Sequence, residues 1–479
     1  MDDLASLDAT AQADLVRRGE ATPLELVEAA ARRIEKLQPE LNALTTNRID
    51  RALDDARTDE LADGPFRGVP CLIKDLACTM AGEPAHEGTR VLKESGNTAD
   101  VDSNLTRRFK AAGLVVLGRT NTPEFGIMPT TEPASYGPTH NPWDLTRTPG
   151  GSSGGSGAAV AAGLVPFAHA SDGGGSIRIP AACCGLVGLK TSRGRVSVGP
   201  AGGELRYPLG VQFALTRTVR DAAALLDAVA GPEPGDPVTP ATPARAYREL
   251  MDVAPPPLRI GVMTTMPGTT DPIHPDCVAA TEATAATLES LGHHVEVAHP
   301  AAFDEDERIS AFIPLWSTKA AYDVRMVSDM VERSLGANDF EPLTWALAVR
   351  GRDVSAVDYE LALAAMQVWC RRFMQWWTDG WDLLLTSTLG EPPVELGVLS
   401  TPDEPFRGFA RGGTFTPYSP AMNQTGQPAI SLPLAQNDEG LPIGVHLAAD
   451  AGRDDLLLQI AAQLEIAQPW SDRRPPVHA

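Results

Sequence analysis

The stretch that decides the fold runs from Gly150 to Lys190 and reads GGSSGGSGAAVAAGLVPFAHASDGGGSIRIPAACCGLVGLK. It contains two glycine-rich turns that carry serines, Gly150–Gly155 and Gly173–Ser176, separated by a run of small and apolar residues. Glycine permits backbone conformations in which several N–H groups converge on one point. A serine beside such N–H groups combines a nucleophile with donors for an oxyanion, so the stretch indicates acyl-transfer chemistry.

Two other interpretations of this stretch are weaker. A Gly/Ser run is often a flexible linker, but the intervening AAVAAGLVPFAHA predicts a buried segment. Gly150-x-Ser152-x-Gly154 also matches a nucleophile elbow, which requires a buried strand immediately before it. The preceding residues, NPWDLTRTP, contain two prolines and no strand pattern. We therefore expect a folded segment that is not an elbow.

The two serine turns and an upstream lysine resemble the signature of the amidase signature family of serine hydrolases. Lys74 ends the strand-like GVPCLIK, Ser152 follows two glycines, and Ser176 follows three. The blocks RTNTPEFG and YGPTHNPWDL upstream, and NQTGQPAISLPLAQ downstream, extend the resemblance over nearly the whole chain. The resemblance implies an α/β fold with a mixed central β-sheet, covered by helices on both faces, in a single large domain.

The resemblance also implies a role for each of these side chains. Ser176 is expected to be the nucleophile, Ser152 to relay the proton, and Lys74 to act as the base. Ser152 is expected to follow a cis peptide bond, and Gly151 would ease the crowding there. The remaining expected site residues are backbone donors for an oxyanion, Gly173, Gly174, Gly175 and Ser176, and side chains that support the triad, Ser153, Asp172 and Arg178.

The expected roles of the serines and of Lys74 are also consistent with general chemistry, independently of the family resemblance. A serine hydroxyl is a poor nucleophile unless a base accepts its proton. A lysine can be that base only when it is neutral, and burial in an apolar environment favours the neutral form. Val69, Pro70, Leu72 and Ile73 surround Lys74 with apolar sequence. We therefore expect Lys74 to be buried with a lowered pKa.

The composition is that of an acidic globular protein. The 479 residues carry a formal net charge of −22, which disfavours nucleic acid binding because phosphates bind Lys and Arg. The N-terminal MDDLASLDATAQADL lacks the apolar segment of a signal peptide, and no apolar run has the length of a membrane span. We expect a cytoplasmic protein that binds neither nucleic acid nor membrane, with a homodimer as its candidate assembly.

The cysteines and histidines predict neither a cofactor nor a metal site. The cysteine spacing fits no disulfide framework or zinc site, so these residues are expected to be reduced and packed. His140, His169 and His446 lie in family-like blocks, but the sequence forces no Ser-His-Asp triad on them. The remaining candidates for a metal, His293, His294 and His299, lie at a helix end and along a strand-like run.

The order of the predicted elements divides the chain into four parts. Residues 1–60 read as helices, and residues 61–230 as the signature core, in which strands and helices alternate. Residues 231–257 are Pro-rich and predict a surface connection. Residues 258–479 complete the fold, with a helical region at 305–380 and an irregular loop at 397–422.

The substrate is expected to be a small neutral amide. Aromatic side chains in the variable helical region and loop predict an apolar pocket that suits hydrophobic, oligoamide or lactam-like groups. Peripheral segments such as LKESGNTAD resemble a branch of the family that acts on nylon oligomers. Ester or carbamate hydrolysis, and the A subunit of a tRNA-dependent amidotransferase, remain alternatives. The aromatic residues in question are Phe312, Trp316, Trp345, Phe409, Phe415 and Tyr418.

Overall fold

The short apolar segments of the chain form one mixed β-sheet. The computed structural model describes residues 2–58, 60–203 and 208–479, and within them the sheet has eleven strands. The strands are β1 (Leu44–Asn47), β2 (Pro70–Lys74), β3 (Val115–Thr120), β4 (Phe167–Asp172), β5 (Val187–Lys190), β6 (Val211–Thr216), β7 (Arg259–Val262), β8 (His294–Val297), β9 (Leu383–Ser387), β10 (Ala429–Gln436) and β11 (Pro442–Ala449).

The strand order is β1-β3-β2-β4-β6-β5-β10-β11-β9-β7-β8. Strands β2, β3 and β4 are parallel neighbours, as are β7, β8 and β9, whereas β4–β6, β5–β10 and β10–β11 are antiparallel. All residues of β2, β9 and β11 are buried, so both faces of these strands are covered. The predicted α/β fold with a mixed, covered sheet is confirmed.

Helices of very different length cover the sheet, and several of them begin with a side-chain cap. A capping box is present at the start of α2 (Pro23–Leu41), because the Thr22 side chain accepts from the Glu25 N–H and Glu25 accepts from the Thr22 N–H. The helices are α1 (Ala9–Arg17), α2 (Pro23–Leu41), α3 (Ile49–Arg57), α4 (Arg90–Ser95), α5 (Asn104–Ala111), α6 (Gly154–Ala161), α7 (Arg178–Cys184), α8 (Val219–Val229), α9 (Tyr247–Leu250), α10 (Pro275–Ser290), α11 (Glu307–Ser310), α12 (Phe312–Met330), α13 (Pro342–Arg352), α14 (Ala356–Thr378), α15 (Pro405–Phe415), α16 (Ser419–Thr425) and α17 (Asp454–Ala467).

The signature stretch places its two serine turns at one edge of the sheet. Leu72 of β2 pairs with Ala168 of β4 in parallel register, so both strands end at the same edge. Lys74 is the last residue of β2 and Asp172 the last of β4. The first serine turn leads into α6, which packs on β4, and the second leads into α7. Ligands in open α/β sheets bind beyond such carboxyl ends.

Two predicted elements are wrong. Residues 397–422 do not form an irregular loop, because they contain α15 and the start of α16. The glycines that suggested a loop allow close packing instead: a Cβ at Gly408 would lie 2.5 Å from the Leu399 carbonyl oxygen. Residues 1–60 are not all helical, because Leu44–Asn47 forms β1 and pairs with β3.

The aromatic-rich end of α14 lies in the core. Trp369 and Phe373 are fully buried, and their rings lie 5.0 Å apart. The six cysteines are free, and only Cys370 is not fully buried. Among the described residues, no helix is both long enough and apolar enough to cross a membrane.

Candidate active site

The structure brings Lys74 and Ser152 into direct contact. The Nζ of Lys74 lies 2.7 Å from the Oγ of Ser152 and 3.0 Å from the Oγ of Ser171. Lys74 is completely buried and Ser152 is 2% exposed, whereas Ser171 is partly open. The predicted pair is therefore held at hydrogen-bond distance in a site that excludes most solvent.

Burial lowers the pKa of Lys74 well below its ordinary value. The negative charge of Asp172 opposes this shift, and the positive charge of Lys319 adds to it. Because burial is the largest effect, the amine is biased towards its neutral form. A neutral lysine accepts a proton, which is the property that the sequence requires of Lys74.

The first serine turn is fixed by close backbone packing. The peptide bond between Gly151 and Ser152 is cis, as predicted. A Cβ at Gly151 would lie 2.4 Å from the backbone oxygen of Thr130, so only glycine fits at this position. Ser153 does not cap α6 with its side chain; its Oγ bonds the backbone of Ser171 at 3.3 Å. The first serine turn is therefore tied to the end of β4, which leads into the second turn.

The second serine turn presents Ser176 at the start of α7, where it is partly exposed. Of the four predicted oxyanion donors, one is already engaged: the Gly175 N–H donates to Asp172 Oδ1 at 2.7 Å. The prediction is corrected for Gly175, because an N–H that serves the Asp172 carboxylate is not free for a substrate. The N–H groups of Gly173, Gly174 and Ser176 are the remaining candidates. Gly175 has φ +137, and a Cβ there would lie 2.3 Å from Ser419 Oγ.

Asp172 and Arg178 form a buried ion pair beneath this turn. Arg178 donates from Nε and Nη2 to the two oxygens of Asp172, both at 3.0 Å, and neither side chain is exposed. Burial alone would raise the pKa of Asp172, but the Arg178 guanidinium holds it well below its ordinary value. The carboxylate also accepts the Ile177 N–H and the Asn423 side-chain amide. This network anchors both ends of the turn that carries Ser176.

His446 completes the network as a neutral side chain. Arg178 Nη1 lies 3.1 Å from His446 Nε2, and an arginine can only donate, so Nε2 accepts and the proton is on Nδ1. Burial and the nearby Arg178 charge hold the pKa of His446 well below its ordinary value. His446 therefore orients Arg178 and has no free lone pair for base catalysis.

His169 is likewise structural. Its Nδ1 accepts the backbone N–H of Lys74 at 3.3 Å, and its Nε2 lies 3.2 Å from Gln212 Oε1. Burial is the main cause that lowers the pKa of His169 to about 3, and the positive charge of Arg119 adds to it. His169 positions the end of β2, which carries Lys74, and is not the base of a Ser-His-Asp triad.

Two cavities meet at Ser176. The first, about 450 Å³, is bordered by Ser152, Ser171 and Ser176 and contains the charged side chains Glu87, Asp172, Lys319 and Asp323 in its wall. The second, about 440 Å³, lies on the other side of Ser176 and is lined mostly by apolar side chains. Gly126, Ser176 and Trp316 border both cavities. A substrate can therefore extend in two directions from one reacting serine.

The predicted pocket aromatics divide into lining and core residues. Phe312, Trp316 and Phe409 line the second cavity. Phe415 and Tyr418 are completely buried and belong to the main core, so their assignment to the pocket is wrong. Trp345 packs against a smaller apolar cluster and lines neither of these cavities.

Sequence reasoning missed three polar residues of the site. Ser171 precedes Asp172 in the quoted stretch, yet its contact with Lys74 depends on the pairing of β2 with β4. Asn423 and Gln424 lie far along the chain, on α16. Asn423 bonds Asp172, and Gln424 lines the second cavity. For Asn423 and Gln424, the only sequence indication is that they belong to the NQTGQP block, which resembles the family.

In the described ranges, no group of three or more His, Cys, Asp and Glu side chains is placed to hold a metal ion. His299 lies 3.0 Å from Asp304 and His293 bonds Gln463, so two of the histidines considered above have protein partners. The buried Lys74, the serines and the backbone donors are the groups that the site offers for chemistry.

Comparison with known proteins assigns the family. The family model for amidases matches residues 25–458, and the chain belongs to the amidase signature family. It is therefore an amidase, a hydrolase that acts on carbon–nitrogen bonds of small amides. The chain is similar to the 6-aminohexanoate-cyclic-dimer hydrolase of Pseudomonas sp. (strain NK87), with 41% identity over 98% of this chain and 96% of that protein.

Solved structures agree with this assignment. The structure of 6-aminohexanoate cyclic dimer hydrolase complexed with substrate superimposes with a TM-score of 0.94 at 39% identity, covering 99% of this chain and 100% of the other. A bacterial aryl acylamidase of the amidase signature family superimposes with a TM-score of 0.87 at 27% identity, covering 97% of both chains.

Proposed function

We propose that this amidase cleaves its substrate through an acyl-enzyme on Ser176. Ser176 is partly exposed and borders both cavities, so an amide that spans them passes beside its hydroxyl. A serine hydroxyl attacks an amide carbonyl when a base removes its proton. Ser152 and Lys74 form that path: Ser152 accepts the proton of Ser176 while its own proton passes to Lys74.

The observation that carries the proposal is the buried 2.7 Å contact between Lys74 Nζ and Ser152 Oγ. With its pKa lowered by burial, a neutral Lys74 accepts the Ser152 O–H while its own N–H donates to Ser171. Running in reverse, the relay protonates the departing amine. A water molecule then attacks the acyl-enzyme, and the same groups remove its proton and restore Ser176.

The developing oxyanion is stabilised by backbone donors. The N–H groups of Gly173, Gly174 and Ser176 are the candidates, since the Gly175 N–H is held by Asp172. Donors fixed before the reaction stabilise charge without reorganisation, and loss of one typically costs about 10²–10³ in rate. The Asp172–Arg178 pair fixes this turn and so acts through position rather than by contact with the substrate.

The substrate is a neutral amide that is hydrophobic, oligomeric or lactam-like. The second cavity is mostly apolar, and Phe312, Trp316 and Phe409 contribute to its lining. Two of the proteins that are similar over nearly their whole length are named for a cyclic dimer of 6-aminohexanoate. A cyclic dimer of that kind has no net charge, in keeping with a lining that favours neutral groups.

The two cavities bind different portions of the substrate. Ser152 Oγ must reach the leaving nitrogen to protonate it, and Ser152 borders only the first cavity. The amine portion of the substrate is therefore assigned to the first cavity and the acyl portion to the second. Ser176 lies at the junction, where the scissile carbonyl must be.

A substrate panel with two serine variants tests the proposal. The wild type is assayed on alkyl and aryl amides, cyclic and linear oligoamides, esters, carbamates and glutamine, beside Ser176→Ala and Ser290→Ala, an exposed serine at the end of α10. We expect turnover of neutral amides, with kcat lost by about 10⁴-fold or more in Ser176→Ala only. Activity that remains in Ser176→Ala would rule out Ser176 as the nucleophile. A tenfold preference for glutamine over every neutral amide would rule out the proposed substrate class.

A further inference from the structure

One charged side chain interrupts the apolar lining of the second cavity. Among the described residues that border it, Arg308 alone carries a charge. Arg308 lies on α11, and its Nε is buried with no hydrogen-bond partner in the described part of the chain. A buried donor without a hydrogen-bond partner costs free energy of folding. An unsatisfied Arg308 Nε at the edge of a cavity therefore points to a ligand that accepts its hydrogen bond.

The carboxylates nearest to Arg308 do not neutralise it by direct pairing. Burial lowers the pKa of Arg308, and the negative charges of Asp304 and Asp306 oppose that shift through space. Asp304 is itself engaged, because it accepts from His299 at 3.0 Å and from the Gly268 N–H at 2.8 Å. The guanidinium is thus partly screened but retains donors for an oxygen in the cavity.

A buried acceptor lies beside this donor. Gln424 is 2% exposed and also borders the second cavity. Its Nε2 donates to the backbone oxygen of Arg308 at 2.7 Å, which fixes the orientation of the amide, because the group facing a carbonyl oxygen must be the NH₂. Its Oε1 is buried and accepts no hydrogen bond from any described residue. Arg308 and Gln424 thus pair an unused donor with an unused acceptor.

We propose that Arg308 and Gln424 bind a second amide group of the substrate, with Arg308 donating to its carbonyl oxygen and Gln424 Oε1 accepting its N–H. The assignment rests on the proposed function, in which the acyl portion occupies the second cavity. A carboxylate would satisfy Arg308 but would place its oxygens against Gln424 Oε1, where no proton is available. An amide matches both groups, so the site selects diamides over simple alkanoyl amides.

Three p-nitroanilides of equal chain length test this subsite. N-acetyl-6-aminohexanoyl p-nitroanilide carries the second amide, nonanoyl p-nitroanilide replaces it with methylenes, and the mono-p-nitroanilide of octanedioic acid places a carboxylate at the same position. The ratio of kcat/KM for the diamide to that for the nonanoyl compound is measured in the wild type, in Arg308→Met and in Gln424→Met. Arg325→Met, on the exposed face of α12 and paired with Asp329, is the matched control.

We expect the ratio to exceed ten in the wild type and in Arg325→Met, and to fall at least tenfold in Arg308→Met and several-fold in Gln424→Met. An unchanged ratio in Arg308→Met overturns the subsite. A tenfold preference of the wild type for the octanedioic compound over the diamide, lost in Arg308→Met, also overturns it and assigns a carboxylate site instead. Turnover of the nonanoyl compound, abolished in Ser176→Ala, tests the proposed function separately, so the two failures are distinguishable.

Discussion

Gly126 lies against the hydroxyl of Ser152. A Cβ at Gly126 would be 3.0 Å from Ser152 Oγ and 2.6 Å from Leu76 Cδ2, and the backbone there has φ +68. Gly126 follows Phe125, which also has a positive φ, of 50°. This tight turn therefore limits where the Ser152 side chain can be, and it helps to keep Ser152 beside Lys74.

Gly126→Ala should lower kcat/KM by at least tenfold, because the added methyl group crowds Ser152 Oγ away from Lys74. The measurement is the steady-state rate on one amide, together with the thermal unfolding midpoint. Gly82→Ala is the control, since Gly82 has φ +74 but nothing within 4 Å of a Cβ. Equal activity losses in both variants would show that backbone strain, and not the contact with Ser152, is the cause.

Lys74→Met should reduce kcat/KM by about 10³-fold or more, since general-base catalysis contributes on that scale. Lys74→Arg should not restore activity, because a guanidinium stays protonated and cannot act as a base. Lys110→Met, which removes an exposed lysine paired with Asp102, is the matched control. An active Lys74→Arg enzyme would rule out Lys74 as the base.

The pH dependence follows from the lowered pKa of Lys74. Only the neutral amine is active, so kcat/KM should rise with pH as Lys74 loses its proton in the free enzyme. Because burial lowers that pKa, the midpoint should lie well below the ordinary value of 10.5. The profile of kcat/KM against pH measures this directly. A rate that falls as pH rises through the same range would contradict the assignment.

Asp172→Asn should destabilise the protein by about 3–5 kcal/mol, because it leaves the buried guanidinium of Arg178 without its carboxylate. Neither side chain of this pair is exposed. Asp329→Asn, in the exposed pair with Arg325, should cost less than about 1 kcal/mol. Urea unfolding of both variants compares the two costs. Equal costs would mean that the buried pair does not hold the second serine turn.

Stability should fall as pH rises from about 4.5 to about 8 because of Glu124. Burial and the neighbouring Glu341 raise the pKa of Glu124 to about 8 from its ordinary 4.5. In that window the unfolded chain has released the proton and the folded chain still binds it, so each rise in pH favours unfolding. Below about 4.5 both states are protonated, and the contribution is fully present.

Glu124→Gln should remove this part of the pH dependence, a difference of about 4 kcal/mol between pH 5 and pH 9. The glutamine oxygen can still accept the Glu341 N–H, which donates to Glu124 at 2.8 Å. The free energy of unfolding at both pH values, in wild type and variant, gives the result. The same pH slope in both proteins would show that Glu124 ionises normally.

Local sequence patterns predict the main side chains of the candidate site, but not the residues from other strands and helices that contact them. Lys74, Ser152 and Ser176 are expected from local motifs, two glycine-rich turns and a strand-like segment, together with the family resemblance that these motifs carry. Ser171 could not be assigned, because its contact with Lys74 depends on the pairing of β2 with β4. Asn423 reaches Asp172 from a distant helix, and no local pattern encodes that approach.

The errors have similar physical causes. Residues 397–422 are expected to form an irregular loop, but the glycines of α15 allow neighbouring backbone and Pro129 to pack closely on the helix. Arg308 gave no signal, because its importance arises only where α11 meets the second cavity. Phe415 and Tyr418 are expected in the pocket, yet Phe415 at the end of α15 and Tyr418 just before α16 are both completely buried in the core.

The central claim is that Ser176 forms the acyl-enzyme with help from Ser152 and Lys74. The most direct measurement is peptide mapping by mass spectrometry after treatment with a fluorophosphonate, in the wild type, Ser176→Ala and Lys74→Met. We expect one modified residue, Ser176, with no labelling in Ser176→Ala and much slower labelling in Lys74→Met. The result would contradict this assignment if another serine were modified in both the wild type and Ser176→Ala and if amide hydrolysis were lost as that serine was labelled.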